Sequence, residues 1–163
     1  SYCVATKGVS EIYLGDLRAK LASVYADARG WGLDGRIRFN PTSGSCNFTV
    51  WLTEASLVPS FSPSVCDSTW SCRVGNNVII NFDRWSGASP AWNSAGGSLD
   101  DYRSMVINHE TGHWFGFNHR FCGGSGQPAP VMQQQSINLQ GCVFNPLPTS
   151  SEKQALMSTR GLN

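Results

Sequence analysis

The sequence predicts an α+β fold, a sheet under helical cover that gives way to an irregular C-terminal part. Three observations predict it. Apolar residues recur at three- and four-residue steps across residues 10–28; apolar alternation and continuity mark short segments at 47–53 and 77–82; and a capped helix begins after Ser98. The first period belongs to one face of a helix and the second to strands. At 163 residues the chain is long enough for one domain with a core and too short to argue for two.

The elements follow in order. Leu14, Leu17, Leu21, Val24, Tyr25 and Ala28 fall on one helical face, and the helix ends before Arg29-Gly30-Trp31. Three strands are expected next, at residues 36–40, at 47–53 with Phe48, Val50 and Leu52 alternating, and at 77–82, whose continuous apolar run suits burial on both faces. Gly75-Asn76-Asn77 is a hairpin connection that would set residues 70–74 antiparallel at a sheet edge. Residues 86–97, rich in Ser, Gly, Ala and Pro, read as a loop. Ser98 then caps a helix with Asp100 and Asp101 in its first turn, where acids are favoured. After Gly116 periodicity is lost for over thirty residues, until a short helix at 152–160 that Ser151 is placed to cap.

Composition excludes several classes of function. Charged residues are 14% of the chain and net charge is +1, with no Lys/Arg cluster, so nothing marks the chain for nucleic acid or an anionic membrane. Apolar runs such as residues 78–80 are far below the roughly 20 residues that span a bilayer. Cys3, Cys46, Cys66, Cys72, Cys122 and Cys142 are even in number and include no C-x-x-C pair, which points to three disulfides in an oxidising compartment. Many pairings are open; Cys66 with Cys72 and Cys122 with Cys142 are attractive local staples, leaving Cys3 with Cys46. The start at Ser1-Tyr2-Cys3, with no charged and apolar leader, reads as a mature form. Six scattered tryptophans read as packing groups, and Asp83, Asp100 and Asp101 as capping or pairing acids where calcium could bind but is not expected.

Chemistry concentrates in one stretch. In His109-Glu110-Thr111-Gly112-His113 a four-residue step on a helix brings both imidazoles to one face, with Glu110 beside them. Gly116 lets the chain leave the helix through a conformation other residues resist, so that His119 can return as a third ligand. Three nitrogens hold one zinc ion and leave a fourth position for water, whose pKa falls to about 7, and Glu110 is placed to take its proton. The chain has only three histidines, and all of them lie here.

The pattern H-E-x-x-H-x-x-G-x-x-H resembles that of the metzincin zinc peptidases, and Ala129-Pro130-Val131-Met132-Gln133-Gln134-Gln135 resembles the methionine turn that this family carries beneath its zinc. Arg29-Gly30-Trp31, Ser71-Cys72-Arg73-Val74-Gly75, Asp83-Arg84-Trp85, Asp101-Tyr102-Arg103 and Asn108-His109-Glu110 extend the likeness, over roughly residues 12–148, to a secreted actinobacterial family of metzincin-like proteins of unassigned function. The resemblance implies a twisted, mostly parallel sheet of about five strands with an antiparallel edge strand. It also implies a first strand at 2–5, a long back helix, and N- and C-terminal subdomains of about 1–116 and 117–163. Extended peptide would pair with the edge strand at 70–74, and residues 131–146 would form the opposite wall, with an apolar residue preferred after the scissile bond. One departure stands out: where some metzincins place a tyrosine two residues after the turn methionine, this chain has Gln134.

The expectation is therefore a secreted, monomeric, zinc-dependent endopeptidase acting on protein or peptide substrate in extended form, with Glu110 as general base and no nucleic-acid or membrane partner. Two rivals keep the zinc. One is a catalytically idle binding module on the same scaffold, and the other is a hydrolase of a non-peptide amide or ester.

Overall fold

The structure is a computed structural model that describes residues 1–162. Ser10 caps a 3₁₀ turn, Glu11–Tyr13, which runs into α1, Leu14–Ala26. Leu17, Leu21, Val24 and Tyr25 form its buried face, as the periodicity requires. The helix stops where Asp27 turns extended, and the Asp27 carboxylate receives the Arg29 backbone N–H and a two-pronged guanidinium contact.

Four strands make one sheet in the order β1-β2-β4-β3, where β1 is Tyr2–Lys7, β2 Phe48–Thr53, β3 Cys72–Val74 and β4 Asn77–Asn81. β1 and β4 flank β2 in parallel, with Val50 opposite Val4 and Val78. β3 runs antiparallel to β4, with Arg73 opposite Val78, and is the edge. A parallel crossover needs a long connection, which α1 supplies between β1 and β2.

The expected fifth strand at 36–40 is absent. The chain reaches it through Leu33 and Asp34, both at positive φ (51° and 55°), and meets β1 only through bonds such as Tyr2 N–H to Asn40 C=O. Ile37 and Phe39 still pack on the core, so the alternation reflects side-chain burial without a ladder. The edge strand is also shorter than expected. Asn81 Nδ2 donates to Ser68 and Trp70 carbonyls while Ser71 Oγ accepts the Asn81 N–H, which replaces ladder bonds over residues 70–71.

Residues 86–97 are not simply a loop. They hold the end of α2, Phe82–Gly87, capped by Asn81, and α3, Pro90–Ser94, capped by Ser89 with proline in its first turn. A further 3₁₀ segment covers Ala55–Ser60. α4, Leu99–Trp114, starts at the expected cap, Ser98 Oγ accepting the Asp101 N–H. α5, Ser150–Thr159, starts earlier than expected: Thr149, not Ser151, is its cap, in a reciprocal box with Glu152.

α1 and α4 share one face of the sheet. Leu17, Leu21, Val50, Leu52, Val78, Ile80, Met105 and Ile107 close the core between them. Truncating one of these fully buried leucines to alanine costs about 2–5 kcal/mol. On the other face Val58, Ile79 and the Cys66–Cys72 disulfide form a smaller cluster. The remaining disulfides join Cys122 to Cys142, the second local staple, and Cys3 to Cys46, the pair that the two staples leave. Among the described residues no helix is long and apolar enough to cross a membrane.

Candidate metal and catalytic centre

The C-terminal half of α4 is buried from Met105 to Gly112, polar residues included, so each polar group there must find a partner. Tyr25 Oη lies 2.9 Å from Thr111 Oγ1, and Trp31 Nε1 donates to Asn108 C=O at 2.8 Å, fixing the helix against α1 and the segment after it. Gly112 has no room for a side chain, because a Cβ there would run into Met132 Sδ and press on the Trp31 ring.

His109 and His113 lie one helical turn apart. His109 Nδ1 is 2.7 Å from Val131 C=O and His113 Nδ1 is 2.8 Å from Phe117 C=O. A carbonyl only accepts, so each Nδ1 carries the proton and each Nε2 keeps its lone pair for another use. Gly116, at φ 101°, turns the chain out of α4, and the Phe117 N–H closes back on Gly112 C=O. His119 then returns with its Nε2 3.1 Å from that of His113. One ring nitrogen from each of the three histidines lies within 4.8 Å of the others, and the group could hold a metal ion.

The electrostatics suit that use. Burial, reinforced by the charge a protonated His113 would place beside it, pushes His109 down to about 3. His113 and His119 are also held below the ordinary imidazole value, chiefly by burial. Three neutral imidazoles whose ring nitrogens converge are a donor set for a borderline-soft dication.

Glu110 Oε1 stands 3.9 Å from His109 Nε2. With the imidazole neutral this is a contact and no ion pair. Oε2 is buried and meets no hydrogen-bond donor. Burial raises the carboxyl to about 8, and the Arg73 guanidinium pulls the other way. The four residues singled out in the sequence thus come together at the floor of one cavity of about 360 Å³. Residues 70–73 line one side of it and residues 134–137 another, with Gln134 exposed on the latter.

A residue the sequence reading missed supports this floor. Glu152, 1% exposed, takes the Val131 N–H on Oε1 and the Met132 N–H on Oε2, both at 2.8 Å, while Val131 C=O receives His109 Nδ1–H. The carboxylate on α5 therefore sets the backbone that orients a histidine on α4. Its sequence signal is the Thr149-x-x-Glu152 spacing, which marks a capping box and says nothing of the second partner.

Fold and site together define the class: an α+β fold of the metzincin-like type, with a three-histidine cluster formed by two residues of its second long helix and one from the segment that follows it. Residues 8–154 match a family described as "Protein of unknown function (DUF3152)", and the chain belongs to that family. No curated protein matches the sequence. Among solved structures, the crystal structure of archaemetzincin from Methanopyrus kandleri superposes with a TM-score of 0.56 at 13% identity, covering 98% of this chain and 95% of that one. That likeness is one of fold.

Proposed function

We propose that this chain is a secreted zinc-dependent endopeptidase, one catalytic domain in which His109, His113 and His119 hold a single zinc ion and Glu110 is the general base. The observation that carries the reading is the convergence of three neutral imidazoles beside a buried carboxylate whose Oε2 has no partner, on the floor of an open cavity. Zinc bound there would supply Lewis acidity, acidifying water and polarising a peptide carbonyl. Glu110 takes the water's proton on its free oxygen and delivers it to the leaving amine. Nδ1 bonds to Val131 and Phe117 carbonyls hold His109 and His113 in the tautomer that leaves Nε2 available. Met132, packed beneath Gly112, serves as the methionine turn.

The substrate is protein or peptide in extended form. β3 has no strand on its outer side among the described residues, and its free backbone groups can pair with a peptide laid across the cavity. Three disulfides favour an oxidising, extracellular setting. The enzyme works as a monomer without a nucleic-acid or membrane partner.

The test is digestion of a mixed peptide library by the zinc-loaded chain and by Glu110→Gln. Internal cuts that fall at least about 10²-fold in the variant, with zinc content unchanged, support the reading. Equal cutting by both proteins rules Glu110 out as the base.

A further inference from the structure

Alternation along β3 sends Cys72 and Arg73 to opposite faces of the sheet. Cys72 packs with Val58 and Ile79, whereas Arg73 stands opposite Val78, a member of the core beside α4. Arg73 therefore descends on the side of the cavity, which it lines together with Glu110 and His113. Its Nε–H is buried and meets no acceptor, and among the described residues it enters no ion pair. A second guanidinium stands behind the same wall: Arg84, also with a buried and unmet Nε–H, lies 5.8 Å from the ring centre of Trp70, which lines the cavity. Two acids line the cavity together with Arg73. Glu110 is committed to the reaction, and Asp67 Oδ1 already accepts the Thr69 and Trp70 amides. Arg73 is thus the guanidinium in the cavity lining, with a buried Nε–H short of an acceptor, while Val65, Met105, Val106 and Ile137 give the cavity apolar surface.

We propose that Arg73 selects substrates carrying a carboxylate beside the scissile bond, held by its guanidinium while the aliphatic part of the same residue rests on the apolar surface. For its cleavage arm the proposal rests on the endopeptidase reading. Arginine suits the task because its planar fork matches a carboxylate with two parallel N–H donors. In an endopeptidase the carboxylate is that of an Asp or Glu side chain; a peptide C-terminus offers the same group, and amidated peptides separate the two.

Binding is measured first, by fluorescence anisotropy on zinc-loaded Glu110→Gln, which keeps the cavity while turnover falls at least about 10²-fold. The probes are labelled peptides matched as Glu against Gln, with amidated ends, and as free acid against amide. At least one acidic member should bind about 10–100-fold tighter than its neutral match. Adding Arg73→Gln should bring that ratio to within a few-fold of unity. Arg73→Lys, which keeps the charge and loses the fork, should give a value between; it also decides the matter if Arg73→Gln fails to fold. Zinc attracts anions in every variant, so only the change on altering Arg73 counts. Equal affinities for acid and amide, no binding of either, or a ratio unmoved by Arg73 substitution would overturn the proposal. Acid selection in binding with no peptide cleaved by the wild type would sink the endopeptidase and leave the selection standing; cleavage without selection would do the reverse.

Discussion

Glu110 and His109 are consecutive residues in the buried half of α4, and burial drives their protons in opposite directions. In the metal-free chain the folded pKa of Glu110 is raised, so its contribution to stability is complete below about 4.5 and is lost as pH rises through about 8. His109 is depressed, so its contribution is complete above 6.5 and is lost as pH falls toward about 3. Glu110→Gln should therefore raise the melting temperature of metal-free protein at pH 8, by roughly 2–4 °C for each kcal/mol recovered, and leave it nearly unchanged at pH 4. Circular-dichroism melts at the two pH values check this; a lower Tm at pH 8 would contradict it. Glu152 acts through the backbone. Glu152→Ala leaves the Val131 and Met132 amides buried without acceptors, and should weaken zinc binding about 10–100-fold while lowering Tm. Competition with a chromophoric chelator reads the first effect, and unchanged affinity would remove Glu152 from the support of His109. The contrast between these residues marks what a sequence discloses. His109, Glu110, His113 and His119 are legible because a helix and one glycine turn translate spacing into proximity. Glu152 is hidden because its partners are backbone amides in an aperiodic segment twenty residues away.

α4 is built on close approach. Gly112→Ala forces a methyl group toward Met132 Sδ and the Trp31 ring, and should cost about 1–3 kcal/mol, read as a fall in Tm of both metal-free and zinc-loaded protein. A variant as stable as wild type would mean that Met132 is not packed against α4. A long apolar face, the Ser98 cap, one alternating segment and one continuous apolar run are legible, which is why α1, α4, β2 and β4 emerge near their expected bounds. Residues 36–40 misled because Ile37 and Phe39 bury alternately without a strand beside them to complete a ladder. α2 and α3 escaped notice because six and five residues are too few to display a period. Their caps, Asn81 and Ser89, were the available signal. Thr149 escaped in the same way, since Ser151 offered the same capping chemistry two residues later.

On the scale of the whole molecule, the sheet and its two long helices form a scaffold that needs no metal to explain its packing, while the cleft is assembled from outlying parts. The Cys66–Cys72 disulfide pins residues 66–72 to the edge strand, and Cys122–Cys142 ties the irregular segment that carries Met132. A chain with so few regular elements after residue 116 gains order there from these crosslinks, from Glu152, and from Gln135 and Asn145, which exchange backbone and side-chain hydrogen bonds. The histidine cluster joins the two parts, since His109 and His113 lie on α4 and His119 follows the glycine turn. Zinc should accordingly be what makes the assembled cleft reactive. The most direct measurement is to strip the purified chain of metal and add zinc back in substoichiometric steps while following internal cleavage of a peptide. Turnover that rises in proportion and saturates at one zinc per chain is the predicted result; full activity without zinc, or one tightly bound zinc with no cleavage at any step, would contradict it.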